Sequence, residues 1–446
     1  MCLHDHDAVD AKPTSAMTRR GVLGAASVLA GVTAVGVAGV AGAGSAAAAE
    51  TDATAARYPG RPTTVAPLVI EGGSLVDPLT GHVVEDAVVV LRGGKVLAAG
   101  TRAATRHAVA AVGPGARRID VTGRFVLPGL VDVHVHANAL ADAKALLSAG
   151  ATSVRSGSSS FYQDVAMRSL PTWAPGLAPR MRAAGMFVSP LLGDSVLADP
   201  DLAPLAALPT GIQSKQDLRY LVKVNLSRGV DVIKTRANPR AGLPEQDPTE
   251  LVYDKEQLSA VVNAAAGRPV LCHAYSEVGI DGAVRAGVKS IEHGVFVGDA
   301  TIDRMQRLGT NFTPTMSAIV GLLESPDPVL AARGREYVPV LKAAVKEAHD
   351  RGVTVVAGTD SFGTDVDPIG KEIRLLTEAG LSPLDGLRAA TTSAARLLGW
   401  EQQVGRLRPG SLGDVVVTSR DPLSDGGACE ALDLVVAQGV VVRDDL

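Results

Sequence analysis

The sequence predicts an α/β fold in which eight βα units form a (β/α)8 TIM barrel, beside a small β domain built from both chain ends. Three observations lead there. Strand-like apolar runs alternate with helical stretches through the middle of the chain, β-branched runs broken by turn residues occupy both ends, and the chemically suggestive polar residues fall at the C-terminal ends of the middle runs. A doubly wound open sheet satisfies the alternation alone, so the barrel rests on the count of eight and on where the polar residues lie.

Taken in order, residues 17–49 carry paired Arg19 and Arg20, a weakly apolar Gly/Ala-rich run and then small residues suited to a signal peptidase. This predicts a cleavable export signal over residues 1–49, cut after Ala49, with Met17 as an alternative start. The paired arginines resemble the twin-arginine class, which implies export machinery as a partner and a secreted, extracytoplasmic product. The competing reading is a membrane anchor; a run of Gly and Ala rather than Leu and Ile argues against stable residence in a bilayer.

Residues 66–100 (APLVIEGG, GHVVEDAVVVLRGGKVLAAG) read as short strands, and so do DVVVTSRDP and LDLVVAQGVVVRD near the C-terminus. The β domain is therefore assigned to residues 62–127 plus 401–446. The barrel is assigned to residues 128–400, on the runs FVLPGLVDVHVHA, ATSVRS, RMRAAGMFVS, VDVIKT, RPVLCHA, VKSIEHG, TNFTPT and VTVVAGTD. SKQDLRYLVKVNLSRG and DKEQLSAVVNAAAG are among the helices between them.

Composition narrows the function. With 446 residues, 46% hydrophobic and 20% charged, the chain is that of an ordinary globular protein, and a net charge of -4 leaves no basic stripe to follow a phosphate backbone. Nucleic acid is excluded as an expected partner, and a small molecule or short peptide is preferred. Cys2, Cys272 and Cys429 are too few for a disulfide framework. Cys272 precedes His273 and by alternation points away from the barrel axis, as a small buried apolar residue. Oligomeric state leaves no trace in the sequence, and a homo-oligomer stays open.

His134 and His136 lie two apart on a strand, so both side chains share one face and can meet one ion. A lone histidine at a strand end is usually a hydrogen-bonded core residue. Four histidines (His134, His136, His273, His293) and Asp360 at the ends of four runs are harder to dismiss, because imidazole with carboxylate is the donor set of a hydrolytic transition-metal site. His4 and His6 have the same spacing without a strand around them, and His82, His107 and His349 lack suitable neighbours.

The motifs LPGLVDVHVH, VIKT, CHAYSEVGIDGAVRAGVKSIEHG, AGTD, AATTSAARLLGW and GRLRPGSLGDVVV resemble the amidohydrolase superfamily, in the branch of imidazolonepropionase-like and prolidase-like proteins. The resemblance implies a (β/α)8 barrel flanked by a β-sandwich from both ends. It further implies two divalent metal ions, expected to be zinc: His134, His136 and Asp360 on one, His273 and His293 on the other, and Lys234 carboxylated by CO2 across both. An ammonium cannot ligate, so Lys234 must first lose its proton. Its apolar neighbours Val232 and Ile233 argue against a surface lysine.

Such a centre would activate a water as nucleophile, with Asp360 taking its proton and passing it to the leaving group of an amide. Tyr275 can reach the same face to hydrogen-bond the carbonyl, or serve packing. Arg155, Arg236 and Arg240 follow strands two and four and can clamp a substrate carboxylate, although each alone is more often a solvated arginine. The chain reads Val154-Arg155-Ser156 where many relatives have aspartate third, which weakens substrate inference from them. Two rivals remain: a mononuclear deaminase or cyclic-amide hydrolase with a structural Lys234, and a non-catalytic exported binding protein. Substrate identity sits in loops 157–179, 190–213 and 236–253, whose sequence is not interpretable.

Overall fold

The computed structural model describes residues 65–446, so the expected export signal lies outside the described residues. The β domain is two packed sheets. One runs Lys95–Thr101, Ala87–Arg92, Leu68–Glu71, Arg117–Asp120 in spatial order; the other runs Val440–Asp444, Leu434–Ala437, Val415–Thr418, Phe125–Pro128, Ser74–Val76, Val83–Val84. The second sheet joins the two chain ends, since Phe125–Pro128 pairs antiparallel with Val415–Thr418 in the register Val126↔Val417.

Strand periodicity explains how this sheet serves two cores. Val126, Val415, Val417, Leu434 and Val436 point into the sandwich, against Leu68, Ile70 and Val89. Their neighbours Leu127, Val416 and Val435 point the other way and join the apolar cluster of the barrel. The outer face of the first sheet (Val69, Val88, Val90) is covered by a helix absent from the sequence expectations, Arg102–Val112, which packs Ala108, Val109 and Val112 on it. Thr101 caps this helix by accepting from the Ala104 N–H at 3.2 Å.

All eight expected runs supply a barrel segment: Leu130–His136, Ala151–Ser156, Arg180–Arg182, Ile233–Arg236, Val270–Ala274, Ser290–His293, Asn311–Thr313 and, last, residues 354–362. Neighbours pair in parallel from the first to the third and from the fourth to the seventh. Parallel bridges Val188↔Thr235 and Phe312↔Val355 connect the third to the fourth and the seventh to the eighth. Ser361↔Val135 returns the eighth segment to the first, so two four-stranded parallel sheets are joined by single bridges into the barrel arrangement. The eighth segment is the least regular, with a regular strand only at Ser361–Phe362. The two helices read from sequence form as Lys215–Ser227, capped by Ser214, and Lys255–Ala264, where Asp254 and Gln257 make a capping box. Cys272 and Cys429 are buried free thiols. No helix among the described residues is long and apolar enough to cross a membrane.

Candidate metal centre

Alternation along the strands decides what enters the barrel. On the first strand Val131, Val133 and Val135 face outward into apolar packing, leaving Asp132, His134 and His136 inside. On the fourth, Lys234 and Arg236 share the inward face, and both are buried. On the sixth, Ser290 and Glu292 face inward, so His293 should face outward. It does not, because its backbone sits in the left-handed region (φ 71), which turns the ring back into the barrel; Asp360 (φ 58) does the same on the eighth segment. Gly157 leaves room for the rings, since a Cβ there would lie 2.7 Å from His134 Nε2 and 2.9 Å from His136 Cε1.

Each imidazole has one nitrogen engaged by an oxygen and the other turned to the centre. His134 Nδ1 lies 2.6 Å from Glu292 Oε2, His136 Nδ1 3.2 Å from the Ser158 carbonyl, His273 Nε2 2.9 Å from the Pro239 carbonyl and His293 Nδ1 2.6 Å from Thr315 Oγ1. Carbonyls and carboxylates only accept, which places the ring protons of His134, His136 and His273 on those nitrogens and leaves lone pairs on the others, while the Thr315 hydroxyl beside His293 can donate or accept. Lone pairs then confront one another: His293 Nε2 is 2.8 Å from His273 Nδ1, and His136 Nε2 is 3.1 Å from Asp360 Oδ1. His134 Nε2 lies 3.5 Å from Asp360 Oδ1 and 3.1 Å from Lys234 Nζ. A proton or a divalent cation can satisfy acceptors this close, and neutral imidazoles gathered round a buried carboxylate are a donor set that fits divalent metal. His134, His293 and Asp360 by themselves offer three donor atoms within 4.8 Å of one another. Burial, aided by the nearby Lys234 charge, pushes His134 down to about 4, and burial likewise pushes His293 down to about 3, so both rings are neutral and able to ligate at neutral pH.

The expected substrate clamp divides. Arg155 does not face the cleft: it is buried and fully engaged, donating from Nε to the Val133 carbonyl at 2.6 Å, from Nη1 to Ser290 Oγ at 2.9 Å and from Nη2 to both Glu292 oxygens at 2.9 and 3.0 Å. Its role is to anchor Glu292, which in turn holds His134. Burial opposes ionisation of Glu292, but the charge of Arg155 and the hydrogen bond from His134 outweigh it and keep the carboxyl well below the usual range. Arg236 is buried with its guanidinium 4.4 Å over the Phe187 ring. Arg240 lines the cleft beside the histidines, together with Phe187 and Phe362. It also borders an adjoining lobe formed by Tyr275, Ala318, Ile319 and Leu322. Tyr275 stacks flat on His293 (centroids 5.0 Å apart, planes 2° apart) and edge-on to His273.

Four residues of this neighbourhood escaped the sequence reading: Asp132, Glu292, Thr315 and Glu372. Asp132 was legible, since the period that pairs His134 with His136 reaches it two residues earlier. It accepts from the His134 and Thr359 N–H groups and from Thr359 Oγ1 at 2.6 Å, and burial pushes its carboxyl up to about 7.

Comparison with known proteins agrees with this architecture. The model of the amidohydrolase family matches residues 125–442. Ochratoxinase of Aspergillus niger is 28% identical over 222 residues, 47% of this chain, and the chain spans only 45% of that relative's length. Imidazolonepropionase of Symbiobacterium thermophilum is 25% identical over 415 residues, covering 79% of this chain and 90% of the relative. A prolidase solved in complex with N-methylphosphonate-L-proline superposes with a TM-score of 0.70 at 26% identity, covering 85% of this chain and all of that one.

Proposed function

The chain belongs to the amidohydrolase family, and from that premise we propose that it is an exported hydrolase cleaving an amide bond at a centre of two divalent metal ions, expected to be zinc. The observation that carries the reading is the pair of acceptor confrontations, His293 Nε2 with His273 Nδ1 at 2.8 Å and His136 Nε2 with Asp360 Oδ1 at 3.1 Å. His134, His136 and Asp360 would hold one ion, His273 and His293 the other, and Lys234, carboxylated by CO2, would bridge them. When bound, such ions polarise a carbonyl and acidify a water.

The residues of the chain supply the rest. Asp360, buried at the centre, accepts a proton from the water and returns it to the leaving nitrogen. Tyr275, stacked on His293, lines the adjoining lobe, and its proposed role is to donate to the scissile carbonyl oxygen. Arg240, bordering both spaces, suits a carboxylate on the substrate, with Arg236 behind it; Ala318, Ile319 and Leu322 suit an apolar side chain next to that carboxylate. Dipeptides and N-acyl amino acids with an apolar C-terminal residue are therefore the first substrates to screen. The phosphonate carried on an amino-acid nitrogen in the similar prolidase is of this chemical class.

A second reading has its own support, since His134, His293 and Asp360 alone form a compact set for a single ion. Elemental analysis of protein expressed with bicarbonate and handled without chelator decides between them. Two ions per chain support the bridged centre, one favours a mononuclear enzyme acting on cyclic amides or by deamination, and none after reconstitution sinks both. N-terminal sequencing of protein recovered outside the cell tests export.

A further inference from the structure

Thr315 lies just beyond the seventh barrel strand, Asn311–Thr313, with φ 47 and ψ 49, in the left-handed region. A β-branched residue is a genuine outlier there, and such a backbone persists only where its surroundings over-determine it. Glu372 supplies that constraint. Fully buried on the helix Ile369–Glu378, its Oε1 accepts from the Met316 N–H at 2.8 Å and its Oε2 from the Ser317 N–H and hydroxyl, both at 2.8 Å. Three donors from consecutive residues thus converge on one carboxyl, which pins the turn directly after Thr315. The helix that carries Glu372 follows the segment that delivers Asp360, so one stretch of chain serves both sides of the centre.

The turn aims the Thr315 hydroxyl in one way. Oγ1 donates to the Pro314 carbonyl at 2.8 Å, which commits its only hydrogen. Toward His293 Nδ1, 2.6 Å away, it can offer only a lone pair. In that arrangement His293 carries its proton on Nδ1, and Nε2 is left bare, facing His273. A hydroxyl free to rotate would stabilise either tautomer of the ring equally; this one stabilises a single tautomer.

We propose that Thr315 and Glu372 are positioning residues that fix the tautomer and orientation of His293, making Nε2 a ready-made metal ligand. This rests on the metal reading above only for its consequence, because the tautomer itself can be observed without metal. The test uses the full chain and three variants. Thr315→Val keeps size and branching but removes the hydroxyl, Thr315→Ser keeps the hydroxyl, and Glu372→Gln offers one acceptor oxygen to three donors.

In metal-free protein with 15N-labelled histidine, wild type and T315S are expected to show His293 as a pure Nδ1–H ring, and T315V a mixture of tautomers. In competition with a chromophoric chelator, T315V should lose about 10- to 100-fold in zinc affinity at one site, with E372Q in the same direction, whereas T315S stays within about threefold of wild type. An unchanged His293 tautomer in T315V overturns the proposal whether or not zinc binds, and so does a T315S protein as impaired as T315V. Wild type that takes up no zinc yet shows the pure tautomer would overturn the metal centre and leave the positioning intact.

Discussion

The carboxylate of Glu292 is a buried charge on which both Arg155 and His134 converge, and Glu292→Gln isolates it. The side chain is 0% exposed and accepts from His134 Nδ1, from Arg155 Nη2 through both oxygens and from Ser290 Oγ. Glutamine keeps the shape but removes the charge, and whichever way its NH2 group turns it faces the Arg155 guanidinium, which cannot accept. Arg155, at 1% exposure, would then be a buried cation without a counter-ion. Breaking such a pair from one side costs about 3–5 kcal/mol, more than the roughly 1.5–3 kcal/mol of one hydrogen bond to a charged group. A loss of about 3–5 kcal/mol is expected in urea unfolding of the metal-free protein, where bound ions cannot mask the change. Removing the stranded cation as well, in R155M/E292Q, should recover about 2 kcal/mol or more, because the two sites share one network. The reasoning is refuted if E292Q unfolds within about 0.5 kcal/mol of wild type, or if the double variant equals the sum of the two singles.

Three further outcomes are expected. Burial, with Asp132 nearby, pushes the Glu372 carboxyl up to about 7, so the folded chain holds this proton more tightly than the unfolded chain does. Its contribution is fully present below about pH 4.5 and is lost as pH rises through about 7, on the order of 3 kcal/mol in all. The stability of wild type relative to E372Q should fall by about 2.5 kcal/mol from pH 5 to pH 8, and a difference independent of pH would contradict the assignment. Arg240→Ala should raise KM about 10- to 100-fold for substrates bearing a carboxylate beside the scissile bond while sparing those without one; equal losses for both classes would remove Arg240 from recognition. Burial pushes the Cys272 and Cys429 thiols up to about 12, so neither should react with a maleimide at pH 8 until the protein unfolds.

What the sequence disclosed, and what it withheld, follows from how local each signal is. Period two on Leu130–His136 is a property of six or seven adjacent residues, and it delivered His134 and His136 directly. The same alternation misleads at His293 and Asp360, where it is broken by left-handed backbone; these two were found by their place at strand ends rather than by facing. Glu292 was hidden for the same reason, since a reader who trusts His293 to face inward sends its neighbour outward. The polar–apolar–polar order of Ser290, Ile291 and Glu292 was the available clue. Arg155 reads as a clamp for a substrate carboxylate because it follows a strand, with a solvated arginine as the competing reading, and only the carboxylate across the barrel, well over a hundred positions away in the chain, shows why it is buried instead. Thr315 and Glu372 lie on different elements and meet through the fold alone. The helix Arg102–Val112 lies outside the stretch that read as strands.

The sheet shared by the two ends of the chain bears on the order in which the protein can be made. Val126 pairs with Val417, roughly 290 residues apart, a separation that makes closure slow. On a translating ribosome the strand Phe125–Pro128 therefore emerges long before its antiparallel partner exists, with Val126 ready for one core and Leu127 for another. Until Val415–Thr418 is released, that strand has an open edge and two apolar faces, and the nascent chain is exposed to pairing with its neighbours. A stop codon shortly before Val415 would remove no residue of the metal cleft, and would still yield a protein that aggregates.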